Sequence, residues 1–80
     1  MLQVKIYTSK GEVSTLNASS VVLPGVSGEF QILPGHAQLY SLLGSGNVTV
    51  RTNEGDESFE LTNGEVHVVD DVVTLILVVD

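Results

Sequence analysis

The chain has 80 residues, enough to close one hydrophobic core and too few for two. Apolar residues make up 42% and charged residues 16%, which argues against disorder, and without cysteine there is neither a disulfide frame nor a thiolate metal site. Ten acids against Lys5, Lys10 and Arg51 give a net charge of −7, which repels phosphate backbones and anionic lipid headgroups, so neither nucleic-acid binding nor direct lipid binding is expected.

Alternation of apolar and polar residues predicts strands in chain order over residues 2–8, 12–17, 19–24, 29–33, 39–43, 47–53, 57–62, 65–69 and 72–78. In the first, Leu2, Val4 and Ile6 share one face, while Gln3, Lys5 and Tyr7 share the other. Met1 to Lys5 therefore opens like a strand, not like a basic start followed by a long apolar run, and no signal peptide is expected. Val48 and Val50, Phe59 and Leu61, and Val66 and Val68 repeat the pattern, which turns His67 outward or towards a second layer.

Turn residues punctuate the runs at Ser9-Lys10-Gly11, Pro24-Gly25, Pro34-Gly35, Gly44-Ser45-Gly46, Asn53-Glu54-Gly55-Asp56, Asn63-Gly64 and Asp70-Asp71. Asn63-Gly64 is the clearest two-residue hairpin signal, because both residues accept left-handed angles at low cost. Only Ala37 to Leu43 has even a weak helical pattern. The predicted fold class is all-β, one domain over 1–80: a flattened β-sandwich or barrel of about nine or ten short, mostly antiparallel strands.

The last strand, residues 72–79, is apolar on both faces and too short to span a bilayer as a helix, so a soluble chain is expected. It is either a central strand buried from both sides or one whose second face is covered by something else. Partial cover by a partner is the favoured expectation.

Catalysis has little foothold. His36 and His67 are the only histidines, Ser41 and Ser45 follow the first, and no Gly-x-Ser-x-Gly elbow is present. Gly44-Ser45-Gly46 lacks the Lys-Ser/Thr ending of a phosphate loop. Glu54, Asp56 and Glu57, and separately Asp70 and Asp71, read as solvated turns and not as a calcium cage. No catalytic, cofactor-binding or metal-ligating residue is nominated, and the chain is not expected to be an enzyme. A free-standing module that binds a peptide strand or a small ligand at a sheet edge stays open.

One stretch is more specific. In residues 27–43, Gly28, Glu29, Phe30, Ile32, Pro34, Gly35, His36, Ala37 and Leu39 match the string G-E-[LF]-G-I-x-P-G-H-A-x-L. This string resembles the signature of the epsilon subunit of F-type ATP synthases. The similarity continues through Gly46 to Val50, Phe59 to Gly64, Val66, Val68 and Val73-Thr74-Leu75. Gln31 stands where the family usually has glycine, Asn63-Gly64 replaces a frequent Gly-Gly, and Ser27 replaces an often acidic residue.

The resemblance implies a non-catalytic central-stalk (rotor) subunit of the F1 sector that docks the gamma subunit to the c-ring and supports proton-driven ATP synthesis. It would lie peripherally on the cytoplasmic side of the energy-coupling membrane. It places the c-ring contact in a loop at Gly28, Glu29, Phe30 and Gln31. Pro34, Gly35 and His36 then form either a contact with gamma or the ring, or a structural corner in which His36 caps exposed carbonyls. Proline fixes one backbone angle and glycine permits the reversal, so such a corner is stiff before binding and loses little entropy on docking. Family members usually carry a C-terminal helical hairpin that restrains ATP hydrolysis and in some cases binds ATP. This sequence stops after its last predicted strand, so the expectation is a short form without that helical domain, and the regulatory function is not carried over.

Overall fold

The period-two alternation becomes nine strands in the computed structural model, which describes residues 1–80. They are β1 (Leu2–Thr8), β2 (Val13–Ala18), β3 (Ser20–Gly25), β4 (Gly28–Ile32), β5 (Leu39–Leu43), β6 (Gly46–Thr52), β7 (Gly55–Leu61), β8 (Asn63–Val69) and β9 (Val72–Val78). The hydrogen-bonded order is β2-β1-β9-β8-β5-β3-β6-β7, with β4 on the other edge of β3. All pairs are antiparallel except β1 with β9. The all-β expectation holds, with a single curled sheet in place of two separate ones.

The curl follows from which residues are apolar. Leu2, Val4 and Ile6 of β1 and Val73, Leu75 and Leu77 of β9 turn inward to meet Val21 and Leu23 of β3 and Val48 and Val50 of β6. Sixteen apolar side chains form one core, with Leu16, Phe30, Leu39, Phe59 and Val79 packed on its margin. The sheet folds over at β5–β3, where the register is a single pair, Gly25 with Leu43. Two further bonds pin this seam, from Gly44 N to the Pro24 carbonyl at 2.7 Å and from Val26 N to the Leu42 carbonyl at 3.3 Å. At the free edge, β7 exposes Asp56, Glu57 and Glu60, acids that discourage pairing with another chain's edge.

Two turn expectations need correction. Asn63-Gly64 is not a hairpin: both residues belong to β8 and pair with Val78 and Leu77 of β9. Its glycine answers a close approach instead, since a Cβ at Gly64 would lie 2.5 Å from the Ile76 carbonyl oxygen. The left-handed two-residue turn is at Asp70-Asp71, with φ of 49° and 63°, between the paired Val69 and Val72. Such consecutive left-handed residues suit the twist of an antiparallel hairpin, even at some cost for aspartate. Pro24-Gly25 likewise ends β3, and the turn into β4 is Val26-Ser27. Ala37 to Leu43 forms no helix; its last five residues are β5. Gln31 lies in β4 without the left-handed angles that would have called for glycine.

Candidate docking site

The Pro34-Gly35 corner is a type II β-turn. His36 N donates to the Leu33 carbonyl at 3.1 Å, and Gly35 has φ of +84°, as the third residue of that turn requires. Proline at the second position fixes φ there, and no side chain other than hydrogen is comfortable at the third. His36 is exposed, and its Nδ1 donates to the Ala37 carbonyl at 2.8 Å, which fixes the ring beside its own backbone. The corner thus combines a stiff reversal with an imidazole that faces solvent. The carbonyl cap and the outward presentation occur together.

Gly28 to Gln31 are not a loop: they are most of β4, a strand paired only with β3. Gly28, Glu29 and Gln31 are exposed, while Phe30 is half-buried against the core. The strand therefore offers two polar side chains and one unpaired backbone edge, with the phenyl ring as its anchor. The buried Ile32, the last residue of β4, separates Gly28–Gln31 from the corner, so the two predicted groups are consecutive parts of one segment hinged on a core residue.

A third surface extends the second apolar face that the sequence predicts for the last strand. Register places Val13, Tyr7, Ile76, Glu65 and Leu42 in one row across β2, β1, β9, β8 and β5. Its four apolar members are 41–64% exposed, and Val78 next to Ile76's strand position is exposed as well. Strand β9 is therefore central in its sheet but covered on only one face. A row of this length on a small protein marks an interaction surface more often than a chance cluster.

Its polar centre is organised. His67 Nε2 donates to Glu65 Oε2 at 3.0 Å, and the Tyr40 ring stands edge-on to the His67 ring with centroids 4.5 Å apart. The hydrogen bonds from His67 and then Tyr40 hold the Glu65 carboxyl below its ordinary range. The same bond to Glu65, with burial and the carboxylate's charge behind it, raises the Tyr40 phenol. These groups can accept and donate to a partner's polar atoms while the flanking side chains exclude water. His36 has no serine within its hydrogen bonds, and the acids at 54–57 and 70–71 form no group able to hold a metal ion. The geometry suits binding and contains no nucleophile paired with a base.

Pairing across distant strands created the row, so no short window of sequence reveals it. The available signal was the surplus of apolar residues on the outward parity of β9, together with Tyr7 and Leu42 on their own strands.

Comparison with known proteins bears on what this surface serves. The family model described as ATP synthase, Delta/Epsilon chain, beta-sandwich domain matches residues 1–78. The chain belongs to this family. An ATP synthase epsilon chain of Helicobacter pylori (strain P12) is 36% identical over 76 residues, covering 95% of this chain and 62% of that protein. The epsilon chain of Wolinella succinogenes is 39% identical over 69 residues, covering 85% and 53%. The chain thus spans less than two thirds of the length of these curated relatives.

Among solved structures, a chain in the Euglena gracilis mitochondrial ATP synthase OSCP/F1/c-ring assembly superposes with a TM-score of 0.83 at 19% identity, covering 95% of this chain and 49% of that one. A chain of the Tetrahymena thermophila mitochondrial ATP synthase central stalk/c-ring gives 0.79 at 16% identity, covering 99% and 63%. At such identities the likeness speaks for the fold, and it agrees with the curled nine-stranded sheet described above. The family resemblance read from the Gly28–Leu39 string is confirmed by the family model's match to residues 1–78.

Proposed function

We propose that this domain is a non-catalytic central-stalk subunit of an F-type ATP synthase, docking gamma to the c-ring on the cytoplasmic side of the energy-coupling membrane. The observation that carries the reading is the exposed apolar row across β2, β1, β9, β8 and β5, on a domain whose family is found in ATP synthase epsilon chains. We assign gamma to that row, and the polar loops of the c-ring to Gly28, Glu29, Phe30 and Gln31. Pro34, Gly35 and His36 stand beside the ring contact as the stiff corner that touches gamma or the ring.

The areas are consistent with two grips. An ordinary interface takes about 800 Å² from each partner. Two such contacts would use roughly a third of the 4532 Å² that the domain exposes. Holding two neighbours at once gains through effective concentration, so neither contact needs to be strong alone. The contribution to ATP synthesis is then mechanical: binding free energy that makes gamma and ring turn together. Proton transfer and nucleotide chemistry lie in other subunits.

The test is co-elution of the chain with gamma and, separately, with detergent-solubilised c-ring. Retention by both supports the rotor reading. Indifference to both, with capture of an extended peptide at the β4 edge, would replace it with the peptide-binding module.

A further inference from the structure

In a type II turn the N–H of the third residue points away from the turn and needs an acceptor elsewhere. Here the acceptor is Asp71: Gly35 N donates to Asp71 Oδ1 at 2.8 Å. This is the one hydrogen bond that joins residues 33–38 to another element; the other two, from His36 N and His36 Nδ1, close on Leu33 and Ala37. The main chain of Asp71 is also engaged, its carbonyl accepting from Gln3 N at 2.9 Å. One residue therefore ties together the start of β1, the β8–β9 hairpin and the exposed corner.

The residue type at 71 is otherwise hard to justify. Position 71 has φ of 63°, where glycine costs least and aspartate is merely tolerated. Asp70 accepts the same left-handed angles without making any such bond. A carboxylate at 71 gains an N–H···O⁻ bond, the stronger kind, and spans the hollow lined by Gly35, His36, Ala37, Gln38, Val69 and Asp70.

We propose that Asp71 is the positioning residue of the docking corner, holding Leu33–His36 against the β8–β9 hairpin so that His36 is presented in one orientation. The proposal rests on the reading of Pro34–His36 as part of a docking site. Asp71 itself touches no partner; it acts through the Gly35 amide. Without it the corner keeps its internal turn but swings about Ile32 and Leu39, and the partner must then order it on binding.

Three variants separate the possibilities. Asp71→Gly removes the acceptor and relieves the left-handed backbone; Asp71→Asn keeps an acceptor oxygen; Asp70→Gly gives the same backbone relief with the bond intact. Exchange of the Gly35 amide with water, read by NMR, should speed up about fivefold in Asp71→Gly, stay at the parent rate in Asp70→Gly, and recover most of the difference in Asp71→Asn. Affinity for an immobilised gamma–c-ring complex stripped of its own epsilon chain should fall about fivefold in Asp71→Gly and be largely restored in Asp71→Asn. The urea midpoint of Asp71→Gly should meanwhile stay near the parent's, which separates positioning from a stability defect. Unchanged Gly35 exchange in Asp71→Gly overturns the proposal, as does faster exchange with unaltered affinity. If the parent chain itself ignores the complex, the docking reading fails, while the exchange rates still decide whether Asp71 holds the corner.

Discussion

Replacing Gly64 by alanine tests whether this glycine serves the β8–β9 ladder or a turn. A Cβ there would lie 2.5 Å from the Ile76 carbonyl oxygen, 0.9 Å short of the 3.4 Å at which ordinary contact begins, and 3.3 Å from the Leu77 Cα. Both obstacles are backbone, so no rotamer change relieves them. Strands β8 and β9 must separate where Gly64 faces Leu77, between the Asn63–Val78 and Glu65–Ile76 pairs. Strain of that kind costs about 1–3 kcal/mol, and one weakened ladder bond adds about 1 kcal/mol. The stiffer unfolded chain returns about 0.4–1 kcal/mol. A net loss of about 2–3 kcal/mol follows, from a total that for 80 residues is about 4–12 kcal/mol. With an m-value of about 1 kcal/mol/M, the urea midpoint should drop by about 2–3 M. Equilibrium urea unfolding followed by circular dichroism measures it. A drop of less than about 0.5 M would refute the close-approach argument.

Other outcomes follow from the same geometry. A Cβ at Gly35 would meet no atom within 4 Å, so the main cost of Gly35→Val is the left-handed backbone, about 1–2 kcal/mol, and gamma–c-ring binding should weaken with the fold retained; a pull-down with undiminished recovery would count against the corner. Glu29→Lys and Ile76→Lys, the latter opposite Glu65 on the neighbouring strand, both alter exposed side chains and should leave urea midpoints near the parent's. The first should lose c-ring retention and the second gamma retention, as checked by separate co-elution. For Glu65, hydrogen bonds from His67 and Tyr40 lower the folded carboxyl below its ordinary range, so their stabilisation is present above that range and lost as pH falls through the lowered value. A carbon-detected NMR titration should show Glu65 moving up towards ordinary glutamate in His67→Ala, and no movement would refute the assignment of cause.

Much of the architecture was legible because it rests on local rules. Alternation located all nine strands to within a residue or two at most ends, and the parity of Leu2, Val4 and Ile6 identified the buried face directly. The turn chemistry of Pro34-Gly35 was equally local, and its geometry followed. What failed was the inference from a dipeptide to a hairpin. Asn63-Gly64 carries the preferred residues for a reversal, but the chain passes from β7 to β8 without pairing them, and the backbone of β9 presses on Gly64 instead. A glycine selected by contact across a ladder looks, in one dimension, like a glycine selected by angle. The docking row and the Asp71–Gly35 bond were hidden for a related reason. Each depends on strand order, which the alternation of a single strand does not encode.

The parallel pairing of β1 with β9 has a consequence for synthesis. Strand β1 lies between β2 and β9, so one of its edges has no mate until residues 72–78 have left the ribosome. A nascent chain can zip β1 to β2 early, but the inward Leu2, Val4 and Ile6 of β1 wait for Val73, Leu75 and Leu77 of β9 before water is excluded. Closing the curled sheet thus depends on distant pairings, which places this domain among the slower folders of its size. During that interval the naked edge of β1 is the part a chaperone would be expected to shield.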